Sequence, residues 1–171
     1  AWSVTAALPV WYKTTPFTED HFVIANNLWQ AMQTSLPDTL LPIKDAAFFK
    51  WRYQGHPSRN YLSYIVSLRG INKVIGIVTL QDHGPNLGME IMDLLAPAEK
   101  LTTLLAAAQN ICMHSGRSRL FSWMTPAILS FLPEPNQQSE IFGVYITPDY
   151  KKIIDQQQTS CWLISGDTDF R

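Results

Sequence analysis

Glycine is scarce in this chain, with eight in 171 residues, and none falls between Gly88 and Gly116. Cysteine is scarcer still. Cys112 and Cys161 stand alone, too few for a disulfide framework or a cysteine metal cluster. Charged residues make up 16%, against about a quarter in ordinary domains. No run approaches about eighteen apolar residues, so no membrane-spanning helix is expected. No basic stretch precedes an apolar one at the start, as a secretory signal requires. Thirteen Lys+Arg against 14 Asp+Glu leave a net charge of −1, which gives no general attraction to nucleic acid or an anionic membrane. Neither G-x-G-x-x-G nor G-K-S/T occurs, which argues against dinucleotide binding and P-loop chemistry. Ser118, Ser122 and Ser130 lie in no G-x-S-x-G context. The histidines His21, His56, His83 and His114 are scattered without metal-ligand spacing, so no metal site is expected.

What is present is apolar surface. Hydrophobic residues reach 46% and aromatics 12%, with six tryptophans, which is enough for a substantial core and excludes bulk disorder. The expectation is one domain over residues 1–171, a fragment or one domain of a longer protein, since it opens at Ala1. Two unpaired thiols fit a reducing, cytoplasmic setting. Trp2 and Trp11 lie near this start and suggest a contact with preceding sequence or with another domain.

The pattern predicts a strand at 10–13 and then a helix start at Thr18, with Glu19 and Asp20 in its first turn. Phe22, Ala25, Leu28, Trp29 and Met32 form its apolar stripe. A second short helix covers 44–53, ended by Gly55-His56-Pro57. Strands follow at 61–68, 73–81 and 89–95, the first two as an antiparallel hairpin. A helix from Leu101 buries Leu104, Leu105, Ala108, Ile111 and Cys112 and stops at Gly116. Strands at 120–124, 141–147 and 160–165 enclose a short helix at 127–132. This order predicts an α/β (α+β) domain, a mixed sheet with helices on both faces.

The same order, β-α-α-β-β-β-α-β-α-β-β, resembles the GNAT fold of the GCN5-related N-acetyltransferases. Leu28-Trp29, Asp45-Ala46, Trp51-Arg52-Tyr53 and His56-Pro57 are similar to the front of one acyltransferase-like subgroup. Cys161-Trp162-Leu163 with Gly166-Asp167-Thr168-Asp169 resembles its finish. The resemblance covers residues 20–171. It implies a mostly antiparallel sheet in which two parallel strands, 89–95 and 120–124, splay apart around acetyl-CoA or another acyl-CoA. It implies acyl transfer to an amine on a small molecule or peptide. It also implies that the donor's pyrophosphate meets amides after the first of these strands, around Leu94, Leu95, Ala96, Ala98, Glu99, Lys100 and Leu101. Here the family's glycine-rich loop is replaced. Pro97 removes an amide donor, Glu99 adds a negative charge and Lys100 opposes it. That departure keeps a second expectation open, a catalytically degenerate binding or interaction module of the same fold.

Glu90 reads either as the base that deprotonates the attacking amine, or as a solvated strand-edge glutamate. Asp93 falls on the opposite face of a regular strand and needs a partner if buried. Tyr145 is the candidate acid for the departing thiolate, with a satisfied core tyrosine as the competing reading. Trp51-Arg52-Tyr53 either line the acceptor site, or Trp51 packs while Arg52 pairs with Asp167 or Asp169.

Overall fold

A computed structural model of the chain describes residues 1–4, 8–139 and 160–167. The strand expected at 141–147, Tyr145 and Asp169 lie outside the described residues. The described elements are β1 (Trp2–Ser3), β2 (Tyr12–Pro16), α1 (Phe22–Ser35), β3 (Thr39–Leu40), α2 (Ala46–Phe49), β4 (Tyr61–Leu68), β5 (Val74–Asp82), β6 (Met89–Leu95), α3 (Leu101–His114), β7 (Arg119–Phe121), α4 (Pro126–Leu129) and β8 (Ser160–Cys161). They form a six-stranded sheet in the order β1-β7-β6-β5-β4-β2 and a two-stranded sheet, β3-β8. In the large sheet β6–β7 is parallel and the other pairs are antiparallel.

Side-chain alternation places Gly76, Val78 and Leu80 on one face of β5, and Ile77, Thr79 and Gln81 on the other. Helix α3 covers the first face. A Cβ on Gly76 would stand 2.8 Å from Leu104 and from Ala96, so glycine sets how closely α3 approaches. The segment around α2 covers the other face, where Lys44 and Tyr53 reach Asp93 of β6. Both helix stripes behave as the periodicity predicts. Ala25, Leu28, Trp29 and Met32 of α1 are buried, as are Leu101, Leu104, Leu105, Ala108, Ile111 and Cys112 of α3. Gly116 ends α3 with a φ of 68°, in the left-handed region glycine tolerates.

Boundaries differ where prolines and turns intervene. Thr18 caps a 3-10 turn, Glu19–His21, and its amide donates to His21 Nδ1 at 3.0 Å before α1 proper begins. Tyr12 N closes a turn onto the Pro9 carbonyl at 2.9 Å, which moves the first predicted strand from 10–13 to Tyr12–Pro16. The helix expected over 44–53 is α2 followed by a π turn, Lys50–Gln54. The wider turn rotates Arg52 and Tyr53 inward and leaves Trp51 67% exposed, against its expected place in the packing. Trp2 is only 4% exposed, and its indole N–H donates to the Pro133 carbonyl at 3.0 Å. Its burial is thus within this chain, whereas Trp11 is exposed. Among the described residues, no helix is long and apolar enough to cross a membrane.

Candidate functional site

Strand β6 carries two acids, and every residue in it is buried. Its pairing with β5 slips once: Leu80 faces Ile91 and Thr79 faces Asp93, so Met92 is an extra residue. This bulge shifts the alternation by one. Glu90 pairs with Gln81 and Asp93 with Thr79, and Gln81 and Thr79 share a face of β5. Glu90 and Asp93 therefore share a face as well, against the opposite placement expected of a regular strand.

At the start of β6, one row crosses the sheet: Tyr61, Gln81, Glu90 and Phe121. Glu90 is not a solvated edge residue. Its side chain is fully buried, and its Oε2 lies 2.8 Å from Nε2 of His83, which keeps 20% of its side-chain surface. The His83 ring also lies 5.7 Å from that of Phe121. The tight start of β6 depends on Gly88, where φ is 92° and a Cβ would overlap the Arg119 carbonyl of β7. The carboxamide oxygen of Gln81 is sealed from solvent without a hydrogen-bond partner. A carboxylate bonded to an imidazole that solvent can reach is an arrangement that accepts and holds a proton.

Three residues on, the second acid is closed in. The Lys44 ammonium lies 2.7 Å from Asp93 Oδ1 and 2.8 Å from Asp167 Oδ1, and all three side chains are essentially unexposed. Tyr53 donates to Asp93 Oδ2 at 3.0 Å, and the Ile164 amide donates to Asp167 Oδ2 at 3.0 Å. Burial alone would lower the Lys44 pKa, but Asp93 and Asp167 outweigh it and hold it above the usual lysine value. Burial, and then the negative charge of Asp93 and Asp167, pushes the Tyr53 phenol well up and keeps it a donor. Burial likewise raises Asp167, against the pull of Lys44. Of the two acids expected for Arg52, Asp169 lies outside the described residues and Asp167 takes Lys44; Arg52 Nε donates to the Gly166 carbonyl at 2.9 Å.

The parallel pairing of β6 with β7 covers only Met89–Leu120 and Glu90–Phe121, so the strands part where β6 still has five residues to run. The fourth strand expected at 120–124 stops at Phe121, because the chain turns toward Thr125-Pro126, which opens α4. The Ser122 hydroxyl takes the Ile91 carbonyl at 2.8 Å. Beyond it the gap is filled by the chain itself. Ile164 bridges Met124, Ser165 Oγ accepts from the Trp123 amide at 2.9 Å, and a Cβ on Gly166 would stand 2.5 Å from the Met92 carbonyl. The strand expected at 160–165 is accordingly shorter: β8 joins β3, and residues 165–167 form a 3-10 turn against β6.

Leu94, Leu95, Ala96 and Leu101 are fully buried core residues. At the turn they flank, the Ala98 amide donates to Ser35 Oγ at 3.0 Å, the Lys100 amide to the Pro97 carbonyl at 2.9 Å, and the Leu101 amide to the Ala98 carbonyl. Three amides that an anion would need are thus engaged, and Pro97 has none. Glu99 is exposed and Lys100 half-buried. The residues present do not form a phosphate cradle.

A cleft of about 470 Å³ lies on the other side of β7 from β6, lined in part by Trp2, Arg119, Phe121, Trp123, Met124 and Leu129. The Arg119 guanidinium sits 5.5 Å from the centre of the Phe121 ring. The sequence reading overlooked His83, Lys44 and Gln81. His83 had a signal: it lies two residues beyond Gln81, the partner of Glu90, at the start of a tight turn that brings the two together. Lys44 had none, since a lysine beside a helix start reads as solvated. Among the described residues, no group of three or more His, Cys, Asp or Glu could hold a metal ion. No family model matches this sequence, and no curated protein matches it either.

Proposed function

We propose that this chain transfers an acyl group from a thioester such as acetyl-CoA to an amine, with the Glu90–His83 pair taking the proton. The observation that carries the reading is this pair, 2.8 Å apart on a bulged strand just where it parts from its parallel neighbour. An ammonium has no lone pair, so a base must act before nitrogen can attack. The nitrogen then bonds to the acyl carbon, the carbon–sulfur bond breaks, and the thiolate leaves as the free thiol with the second proton lost by that nitrogen. The resemblance noted in the sequence supports the same chemistry. The test is release of free thiol from acetyl-CoA in the presence of a panel of primary amines. Glu90→Gln and His83→Ala should each lower turnover about 10²–10⁴-fold. Full activity in both variants would remove the pair from the reaction.

The engaged amides of Ala98, Lys100 and Leu101, with residues 164–167 lying in the strand gap, favour a second reading: a binding module of the same fold. Isothermal titration with acetyl-CoA separates the two. Heat of binding supports the enzyme, and no heat supports the module.

A further inference from the structure

We infer that a pocket between β2 and the last turn of α3 binds a phosphate-bearing ligand through Arg69, Lys13 and His114. The inference lies apart from the transferase reading and does not depend on it. The pocket has a volume of about 430 Å³ and is lined in part by Tyr12, Lys13, Thr14, Arg69, Asn110 and His114. The fold brings these residues together at one end of the large sheet, where β2 closes the strand order. Thr14 pairs with Val66, and Val66 with Gly76, so Thr14 and Tyr12 face the side of the sheet that α3 covers. Asn110 and His114, four residues apart on α3, share the helix face that meets them there.

The charge around this pocket has one sign. Of the chain's 14 Asp+Glu, none falls in β2, in β4, in the turn at 69–73 or in α3. Both fixed cations hold neutral oxygens. Arg69 Nε donates to the Tyr12 carbonyl at 2.9 Å, and Lys13 Nζ donates to Asn72 Oδ1 at 2.6 Å. Neither bond cancels a charge, and no carboxylate among the described residues pairs with either side chain. The bond at Nε leaves the two terminal nitrogens of the Arg69 fork for a ligand. A helix C-terminus opposes an anion through its unpaired carbonyls. In α3 those carbonyls are taken: Asn110 accepts from His114 Nδ1, and Ile111, Cys112 and Met113 accept from the amides of Ser115, Arg117 and Gly116. A phosphate monoester carries a charge of about −1.5 to −2 and three acceptor oxygens, and so answers two uncompensated cations more fully than a carboxylate does. Leu8 and Val10, also in the wall, suit an organic body on that phosphate.

Phenyl phosphate and benzoate test this, because they carry the two kinds of anion on the same ring. Vesicles of phosphatidylcholine, with and without phosphatidic acid, test whether a lipid presents the phosphate. Each is titrated against wild type, Arg69→Gln, Arg69→Lys and Arg117→Gln. Arg117 is the control, a cation already spent on Asp82 through hydrogen bonds of 2.9 and 2.8 Å. Phenyl phosphate should bind wild type at least about tenfold more tightly than benzoate. Arg69→Gln should weaken it at least about tenfold, Arg69→Lys should keep part of the affinity, and Arg117→Gln should keep all of it. Binding of phenyl phosphate in this pattern assigns the pocket to an ester that enters free. Capture by phosphatidic acid vesicles alone, lost in Arg69→Gln, assigns it to a lipid headgroup, and either result upholds the phosphate site. Phenyl phosphate binding no better than benzoate, together with no capture by phosphatidic acid, would overturn the inference. So would an Arg69→Gln variant that binds as wild type does, or an equal loss in Arg69→Gln and Arg117→Gln.

Discussion

Glu90 and Asp93 occupy one face of one strand, both fully buried, and their surroundings differ in kind. Glu90 meets an imidazole that keeps contact with solvent, beside a glutamine oxygen lacking a donor. Asp93 meets an ammonium and a phenol in a sealed cluster, where Lys44 also binds Asp167 and Arg52 holds the Gly166 carbonyl. Burying a carboxylate is costly unless it is both paired and hydrogen-bonded. The Asp93 end satisfies that condition within the protein, and it is a structural end. The Glu90 end differs in that its partner His83 keeps contact with solvent, whereas no member of the Asp93–Lys44–Asp167 cluster does to more than 2%.

The largest effect should come from removing the one cation that bridges both aspartates. Lys44→Met leaves Asp93 and Asp167 facing each other without it, and should cost about 3–5 kcal/mol in chemical denaturation. Glu90→Gln should cost clearly less, since the neutral amide still hydrogen-bonds to His83. Equal losses would erase the contrast between the two ends. The pH dependence carries the same signature. Lys44 is raised in the folded state, so its stabilisation is complete below the ordinary lysine value of about 10.4 and is lost as pH climbs through the raised value. Wild type should therefore show a step in stability on the alkaline side that Lys44→Met lacks. Asp167, also raised, carries the same sign on the acid side. The folded state takes up its proton first, so its own contribution to stability grows as pH falls through its raised value.

A smaller effect tests how residues 164–167 are held. Gly166→Ala places a methyl group over the Tyr53 hydroxyl and 2.5 Å from the Met92 carbonyl. The segment must shift, at about 1–3 kcal/mol. The loss should appear together with exposure of Trp162, which is fully buried, read as a red shift in its fluorescence in a background where the other tryptophans are unchanged. A fully stable Gly166→Ala with unshifted emission would mean that the segment does not depend on close approach to β6.

Much of this arrangement was legible before any coordinates. The stripes of α1 and α3, the hairpin of β4 and β5 and the span of β6 all follow from periodicity, and Gly116 follows from its conformational freedom. The bulge at Met92 did not. Nothing in Met89-Glu90-Ile91-Met92-Asp93 marks which residue is extra, because register is settled by the partner strand and by what each face must bury. The opposite placement of Asp93 holds only for a regular strand, and the bulge removes that condition. Lys44 was hidden for a related reason. A lysine is buried only when several acids converge on it, and Asp93 and Asp167 lie 49 and 123 positions away. The glycine-free turn after β6 was legible as a departure, and the bond from the Ala98 amide to Ser35 gives that departure a physical form.

That bond supplies the smallest and most discriminating change. Ser35→Ala removes two neutral hydrogen bonds, the one from the Ala98 amide and the one to the Met32 carbonyl, about 1–2 kcal/mol of stability, and releases the Ala98 amide at the turn before α3. If an acyl-CoA pyrophosphate docks on this turn, the serine competes with it, and the variant should bind acetyl-CoA more tightly than wild type despite being less stable. Lys100→Glu should weaken the same binding, since it puts a second negative charge beside Glu99. If the fold is a binding module, both variants leave acetyl-CoA unbound and ligand affinity at the Glu90 end unaltered. The two outcomes move in different observables, so a single titration series on two surface-proximal substitutions separates a donor site masked by one serine from a turn that never held a phosphate.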